Sequence, residues 1–346
     1  MTHYAGLDVS VKETAICVID AVGAVVWQGK VHTQIETIAE ALVRHAPELE
    51  RAGMETGPVA VWLWHGLRDA AVPLDCIHAR RAAAALKLQV NKTDRNDARG
   101  LAQLVRSGWY EPVPMKSMAT HRVRAILVAR QQIVGMCTAL INKIRGLAKT
   151  FGIIVAPGKG STFDRAVRAG LPSDLVVRNL LESLLATLTL LRDQRRAFDR
   201  QLARIARENE TCKRLTSAPG VGPLTAIAFA AAIEDPSRFR RASDVGAYLG
   251  LTPKRYQSGE VDIGGRISKC GDRLTRSLLF EAASVILYRT RGEFGLQDWA
   301  RQLAARSGSW KARVALARKL AVILFRMMRD GTSFEPRPYH AGRAAA

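Results

Sequence analysis

Paired cysteines are missing from this chain of 346 residues. Its five cysteines, Cys17, Cys76, Cys137, Cys212 and Cys270, are isolated, and no Cys-x-x-Cys pair occurs. That excludes a zinc-finger ligand set and a disulfide framework, and it fits a reducing cytoplasm. No apolar run of the ~18 residues needed to span a bilayer stands out, and neither a signal pattern nor a lipidation motif is found, so no membrane partner is expected. Acidic residues are also scarce: 31 Asp and Glu face 52 Lys and Arg, which leaves a formal net charge of +21. The surplus is mostly Arg, whose planar fork suits phosphate, so DNA or RNA is the natural partner. The 48% of residues that are hydrophobic are enough to build a core in each of two or three domains.

The charge is unevenly placed. Residues 1–110 hold 12 basic and 12 acidic groups, residues 111–210 hold 17 and 8, and residues 211–346 hold 23 and 11. A neutral first domain (1–110) is therefore expected, then a basic helical connector (111–210), a basic carboxy-terminal domain (211–330) and a flexible tail (331–346).

The first segment reads as α/β. Tyr4 to Val9, Thr14 to Asp20 and Ala24 to Val31 are β-branched and apolar runs separated by turn signals, which predicts three antiparallel strands. A helix from about Ile35, a short strand from Arg51 to Met54, a helix from Val59 to Asp69, a strand from Val72 to Ile77 and a helix from Asp94 capped by Thr93 follow. Three strands followed by alternating helix and strand is the order of the ribonuclease-H-like fold, and the actin-like ATPase fold begins in the same way. The connector reads as two long helices, Met118 to Ala148 and another from Ser173. In the second, Leu184, Leu188, Leu191, Arg195, Phe198, Leu202 and Ile205 form a heptad seam. A helical hairpin, an intermolecular coiled coil or an ordinary amphipathic helix would each produce it. The last segment reads as glycine-rich and mixed, then helical, closing on a basic amphipathic helix from Ala312 to Arg329.

Four carboxylates in the first segment are candidates for metal chemistry. Asp8 ends the first strand, Glu55 ends a short apolar strand before a Gly-Pro turn, and Asp94 and Asp97 lie three apart at a helix start, so they project from one face. Phosphodiester cleavage by two metals needs clustered hard oxygen ligands, which such acids provide. Taken singly, each is equally a turn former, a solvated acid or a helix-capping residue.

The segments Gly-Leu-Asp-Val-Ser, Met-Glu-Thr-Gly and Lys-Thr-Asp-Arg-Asn-Asp-Ala around these acids together resemble the DEDD transposases of bacterial insertion sequences, a family that includes Piv-like DNA invertases. The resemblance implies a RuvC-like amino-terminal domain, with Asp8, Glu55, Asp94 and Asp97 as catalytic acids holding Mg²⁺ or Mn²⁺. It extends over nearly the whole chain. In the stretch Tyr248 to Arg273, the family's functional serine falls on Ser258, where a turn-forming serine is the plain alternative and Ser268 the local competitor. Lys254, Arg255, Arg266, Lys269 and Arg273 are cations available to a phosphate there. The resemblance further implies a transient phosphoserine link to DNA, a homo-oligomer (dimer or tetramer), DNA element ends and target as substrates, and, as in several family members, a bridge RNA that chooses them. A cytoplasmic protein that joins the nucleoid when bound to DNA is the matching location.

Ser217 to Pro223 reads as a glycine turn opening a helix. It resembles a helix-hairpin-helix element whose Gly220 and Gly222 let backbone N–H groups approach a phosphate, although a Gly-Pro turn between two packed helices would look the same. Three competing functions remain in view: a junction resolvase that uses water as nucleophile, a catalytically inactive nucleic-acid-binding protein, and an actin-like ATPase. The last lacks the second glycine-rich phosphate loop that it would need.

Overall fold

The computed structural model describes residues 1–86, 91, 93–259, 261–290 and 295–336. The chain divides into two compact units, residues 1–116 and 117–346.

In the first unit, β1 (His3–Val9), β2 (Glu13–Asp20) and β3 (Val25–His32) form an antiparallel meander. After α1 (Ile35–His45), β4 (Leu49–Glu55) joins β1 in parallel; after α2 (Ala60–Asp69), β5 (Leu74–Ile77) joins β4, again in parallel. The sheet order is β3-β2-β1-β4-β5, and the element order is the one read from the sequence. Two further helices follow, α3 (Ala79–Leu86), which the sequence reading does not anticipate, and α4 (Asp94–Ser107).

Alternation along the strands sorts the side chains into two layers. Ala5, Leu7, Ile16, Val18, Ala52 and Met54 bury against α1 and α2, through residues such as Ile38, Leu42, Leu63 and Leu67. Ala15, Cys17 and Ile19 face the opposite way and bury against Ala98 and Ala102 of α4. On that face β1 and β4 offer glycine: a Cβ on Gly6 would lie 2.0 Å from the Ala98 carbonyl oxygen, and one on Gly53 would lie 2.4 Å from Val105. Helix α4 therefore rests on bare backbone. Its second half reaches the β2–β3 turn, where Gln103 donates to the Gly23 carbonyl (2.8 Å) and Arg106 to the Ala21 carbonyl (3.2 Å). Its first turn is consequently left at the other end of the sheet, beside the last residues of β1.

The second unit is mostly helical. Helices α5 (Met118–Thr150) and α7 (Leu175–Glu208) pair as a hairpin, with α6 (Ser161–Ala169) packed at the far end of the pair. There Cys137, Ile144, Phe163, Val167, Leu181, Leu185 and Leu188 form a core of their own. Asp174, one residue beyond the expected Ser173, caps α7. Of the heptad seam, Leu188 and Leu202 are buried, whereas Arg195 reaches outward to Asp199. The expectation that no stretch is apolar enough to span a bilayer needs correcting. Helix α5 is long and apolar enough to do so by length and composition, because few charges interrupt its middle. Here it is one leg of the hairpin.

Helices α8 (Glu210–Leu215), α9 (Pro223–Ile233), α10 (Asp244–Tyr248), α11 (Arg273–Tyr288), α12 (Gly295–Ser307) and α13 (Ser309–Asp330) build a second core, which the near ends of α5 and α7 join through Leu127 and Leu202. Between α10 and α11 the chain forms a two-stranded ribbon, β6 (Pro253–Ser258) and β7 (Val261–Ile267), exposed at every described position except Ile267. Of the tail expected at 331–346, residues 337–346 lie outside the described residues. Its beginning is docked, since the Phe334 amide donates to Ser217 Oγ at 2.8 Å and the Phe334 ring packs on the second core.

Two outcomes follow for this fold. Gly6→Ala should destabilise the first unit by about 1–3 kcal/mol, because overpacking forces α4 off the sheet; a urea titration followed by circular dichroism reads the shift. Cys17, Cys76, Cys137 and Cys212 are buried and Cys270 is exposed. Burial pushes the Cys76 and Cys212 thiols up to about 11. A thiol-reactive dye should therefore label native protein rapidly at one site, and Cys270→Ser should remove that fast phase.

Candidate active site

The acids expected to act together lie at one end and on one face of the first unit's sheet. The parallel register of β1 and β4 ends at Leu7 opposite Met54, so Asp8 and Glu55 are the next residues of adjacent strands. Both share the face of Gly6 and Gly53, which α4 covers. Asp94 and Asp97 stand in the first turn of α4, where Thr93 caps the helix by accepting the Asn96 amide at 3.2 Å, as its residue type predicts. Asp8 and Asp97 are half-buried and Asp94 is exposed.

A basic residue that sequence reading missed stands among them. Register partners carry Asp8 across to Ala15 and Ala15 across to Lys30, so Lys30 lies on the same face two strands away. Its ammonium donates to Asp94 Oδ2 at 2.6 Å. That bond raises the Lys30 pKa, and the charges of Asp94, Glu13 and Asp8 act in the same direction. Gln28, two residues earlier on the same strand face, donates to the Arg95 carbonyl (2.7 Å) and accepts from Arg95 Nε (3.1 Å). β3 thus fastens the start of α4. A cleft of about 430 Å³ opens there, lined by Gln28, Lys30, Thr93, Asp94 and Arg95. A register shift between Val18 and Ile19 on β2 puts Lys30 rather than Gly29 opposite Ala15, so turn lengths counted in the sequence do not reveal it.

Among the described residues, no three His, Cys, Asp or Glu side chains form a ready metal-binding group. The elements bring the acids to one end of the sheet without a closed cage, and Lys30 feels the charges of Asp94 and Asp8. Hard carboxylate oxygens from three separate elements remain the donor chemistry that suits a hard divalent ion.

Ser258 belongs to the second unit. It is exposed, is the last residue of β6 and pairs with Val261, at the tip of the ribbon where Gly259 takes a positive φ of 57° to make the turn. Among the described residues, no His, Asp or Glu hydrogen-bonds its hydroxyl. The cations expected beside it divide. Arg255 donates twice to Asp262, at 2.8 and 2.7 Å, which holds the Asp262 carboxyl below its ordinary range and occupies the guanidinium. Lys254 is exposed on the ribbon; Arg266 and Lys269 line a larger groove at its base; Arg273 is the exposed first residue of α11.

The glycine turn also divides. A Cβ on Gly220 would lie 2.6 Å from the Ala282 carbonyl, so that glycine is required by its packing against α11. Gly222, with open space around it, is the exposed N-cap of α9.

These positions fall in segments that match known families. Residues 5–152, which hold Asp8, Glu55, Asp94 and Asp97, match a family described as transposase. Residues 212–297, which hold Ser258, match the transposase IS116/IS110/IS902 family. The transposase for insertion sequence element IS1111A of Coxiella burnetii is 30% identical over 331 residues, 93% of this chain and 88% of that protein. A probable family 20 transposase of Pseudomonas aeruginosa is 30% identical over 71% of this chain and 75% of its own length. The chain belongs to the DEDD transposases of insertion sequences. Among solved structures, T. thermophilus RuvC in complex with a Holliday junction substrate aligns with 33% of this chain at 15% identity and a TM-score of 0.26, too slight a likeness to carry weight.

The α11 start yields one outcome. Asp272 caps it, accepting the Thr275 amide at 2.7 Å and pairing with Arg124 of α5 at 2.9 Å. Burial alone would raise its pKa, but the Thr275 amide and the Arg124 guanidinium more than offset this and hold it below the ordinary carboxylate range. Its stabilisation is present at neutral pH and disappears as pH falls through that lowered value. Asp272→Ala should cost about 0.5–2 kcal/mol at pH 7, and the difference from wild type, read by chemical denaturation, should vanish in strong acid.

Proposed function

We propose that this transposase cuts and rejoins DNA by phosphodiester exchange, with Asp8, Glu55, Asp94 and Asp97 holding Mg²⁺ or Mn²⁺ and Ser258 supplying the attacking oxygen. The observation that carries the reading is the delivery of Asp8, Glu55 and the first turn of α4 to one end and one face of the sheet, with Lys30 held there as a resident cation. The chemistry such ions supply when bound is neutralisation of the scissile phosphate and activation of the attacking and leaving oxygens. Asp8 and Glu55 would be set by the sheet, and Asp94 and Asp97 by the helix cap. Lys30 must release Asp94 for that carboxylate to take part.

In the exchange, the Ser258 hydroxyl oxygen bonds to phosphorus, the bond from phosphorus to one deoxyribose oxygen breaks, and the proton lost by serine ends on that oxygen. A second strand's hydroxyl reverses the step on the same phosphorus and regenerates the serine. The count of phosphodiester bonds is unchanged, so no outside energy source is needed. The exposed tip of the ribbon suits a group that must reach a substrate phosphate, with a homo-oligomer supplying acids and serine from different protomers. Guidance by a bridge RNA accounts for a large Arg surplus in a chain without zinc-finger cysteine spacing. A helix-hairpin-helix role is carried by the open Gly222 turn alone.

With Mg²⁺, purified protein should cleave and join element-end DNA. Asp8→Ala and Ser258→Ala should each abolish joining while leaving DNA binding intact in a mobility-shift assay. Full strand exchange by Ser258→Ala, with no covalent protein–DNA adduct trapped from wild type, would overturn the serine step and leave the metal-bound acids as the whole catalytic apparatus. Lys30→Met should tighten Mn²⁺ binding, measured by calorimetry, by up to about tenfold, the size of a repulsion between single and double charges at roughly 6 Å in a near-aqueous medium.

A further inference from the structure

The second unit holds a groove of about 1690 Å³ between the base of the β6–β7 ribbon, α11, α12 and α13. It is larger than the ~300–1,000 Å³ of a typical small-molecule pocket, and it combines two kinds of side chain. Its aromatic members are Trp310, Phe280 and Trp299. Trp310 and Phe280 stack, with centroids 5.8 Å apart and planes 17° from parallel, and Arg313 lies 4.0 Å over the Trp310 ring and 4.8 Å over Phe280. Lys319 Nζ sits 4.1 Å over Trp299, and burial lowers its pKa. Arg266, Lys269, Lys311 and Arg318 add positive charge, against the carboxylate of Glu281.

Trp310 is 70% exposed although it carries a large apolar indole. A folding role would bury it. Its stacking against Phe280 and Arg313 instead fixes the plane of an indole that still faces solvent. Planar aromatics held rigidly beside cations fit an unpaired nucleobase, whose face stacks on the ring while the flanking phosphates meet Lys and Arg. A paired base shows only its edges, so a duplex cannot use the indole. An apolar protein partner would leave the cations desolvated and unpaired.

We propose that this groove binds single-stranded DNA, with Trp310 as the stacking platform for an unpaired base and Lys311, Arg318 and Lys319 facing its phosphates. The choice of DNA rests on the strand-exchange function proposed above, in which DNA strands must part before they rejoin. The groove is distinct from the acidic end of the first unit and from the serine tip of the ribbon.

The test is fluorescence anisotropy with full-length protein in EDTA, using labelled oligothymidylate, oligouridylate and a DNA duplex of equal length at one salt concentration. Trp310→Ala should weaken oligothymidylate binding about tenfold, in line with the loss of one base–aromatic stack. Trp310→Phe should restore most of the affinity, and duplex binding should be the same in all three proteins. Because the side chain is exposed, both variants should keep the wild-type circular dichroism spectrum. Oligothymidylate affinity unchanged by Trp310→Ala, an equal loss for duplex, or tighter binding of oligouridylate than of oligothymidylate would each overturn the proposal. Cleavage of element-end DNA is scored separately with Mg²⁺. Trp310-dependent binding without cutting would support the groove and reject the strand-exchange function, and cutting without Trp310-dependent binding would do the reverse.

Discussion

The acidic end of the first unit depends on how closely α4 lies on the sheet. Gly6 and Gly53 remove two side chains from the sheet face, and Ala98 and Ala102 remove bulk from the helix, so backbone meets backbone there. The separation between helix axis and sheet is therefore set by main-chain atoms and leaves little play. From that contact, one helical turn back toward Asp94 and two residues forward to Asp8 cover similar lengths, about 5–7 Å. Asp8 and Asp94 reach the same end of the sheet because both paths start at one fixed point. The Lys30 ion pair and the Gln28–Arg95 exchange fasten the helix start to β3 from the other side.

The two units divide the electrostatic work. Through residue 116 the chain holds 13 basic and 13 acidic residues, so the whole +21 belongs to the second unit. Part of that unit's basic charge is engaged internally: Arg192 with Asp164, Arg130 with Asp199, Arg124 with Asp272 and Arg255 with Asp262. Those pairs brace helices and the ribbon. The cations outside these pairs carry that unit's unbalanced positive charge, whereas the first unit is balanced.

Much of this architecture was legible in the amino-acid sequence, for identifiable reasons. Short β-branched and apolar runs between turn signals marked the five strands of the first unit, and Thr93 before Asp94 marked the start of α4, because composition and capping are local properties. Short, alanine-rich α3 was missed because its 8 residues span barely two turns, too few for a helical repeat to show, and α6 because glycines and a proline precede it. Lys30 was missed for a different reason: its role depends on cross-strand register, a relation between residues 8, 15 and 30 that no local pattern displays. Gly220 was read as open to phosphate, whereas its space is filled by α11, which lies 60 residues further along the chain. The aromatic groove likewise joins residues from α11, α12 and α13 that are unremarkable one at a time.

The β6–β7 ribbon contributes almost nothing to either hydrophobic core, and nearly all its side chains face solvent. Few packing constraints therefore act on its sequence. Residues along it can be exchanged by mutation with little effect on whether the protein folds, unlike Gly6 or Ala98. Its sequence is thus held by what the ribbon does rather than by what keeps the chain folded, the reverse of the constraint on the sheet face beneath α4.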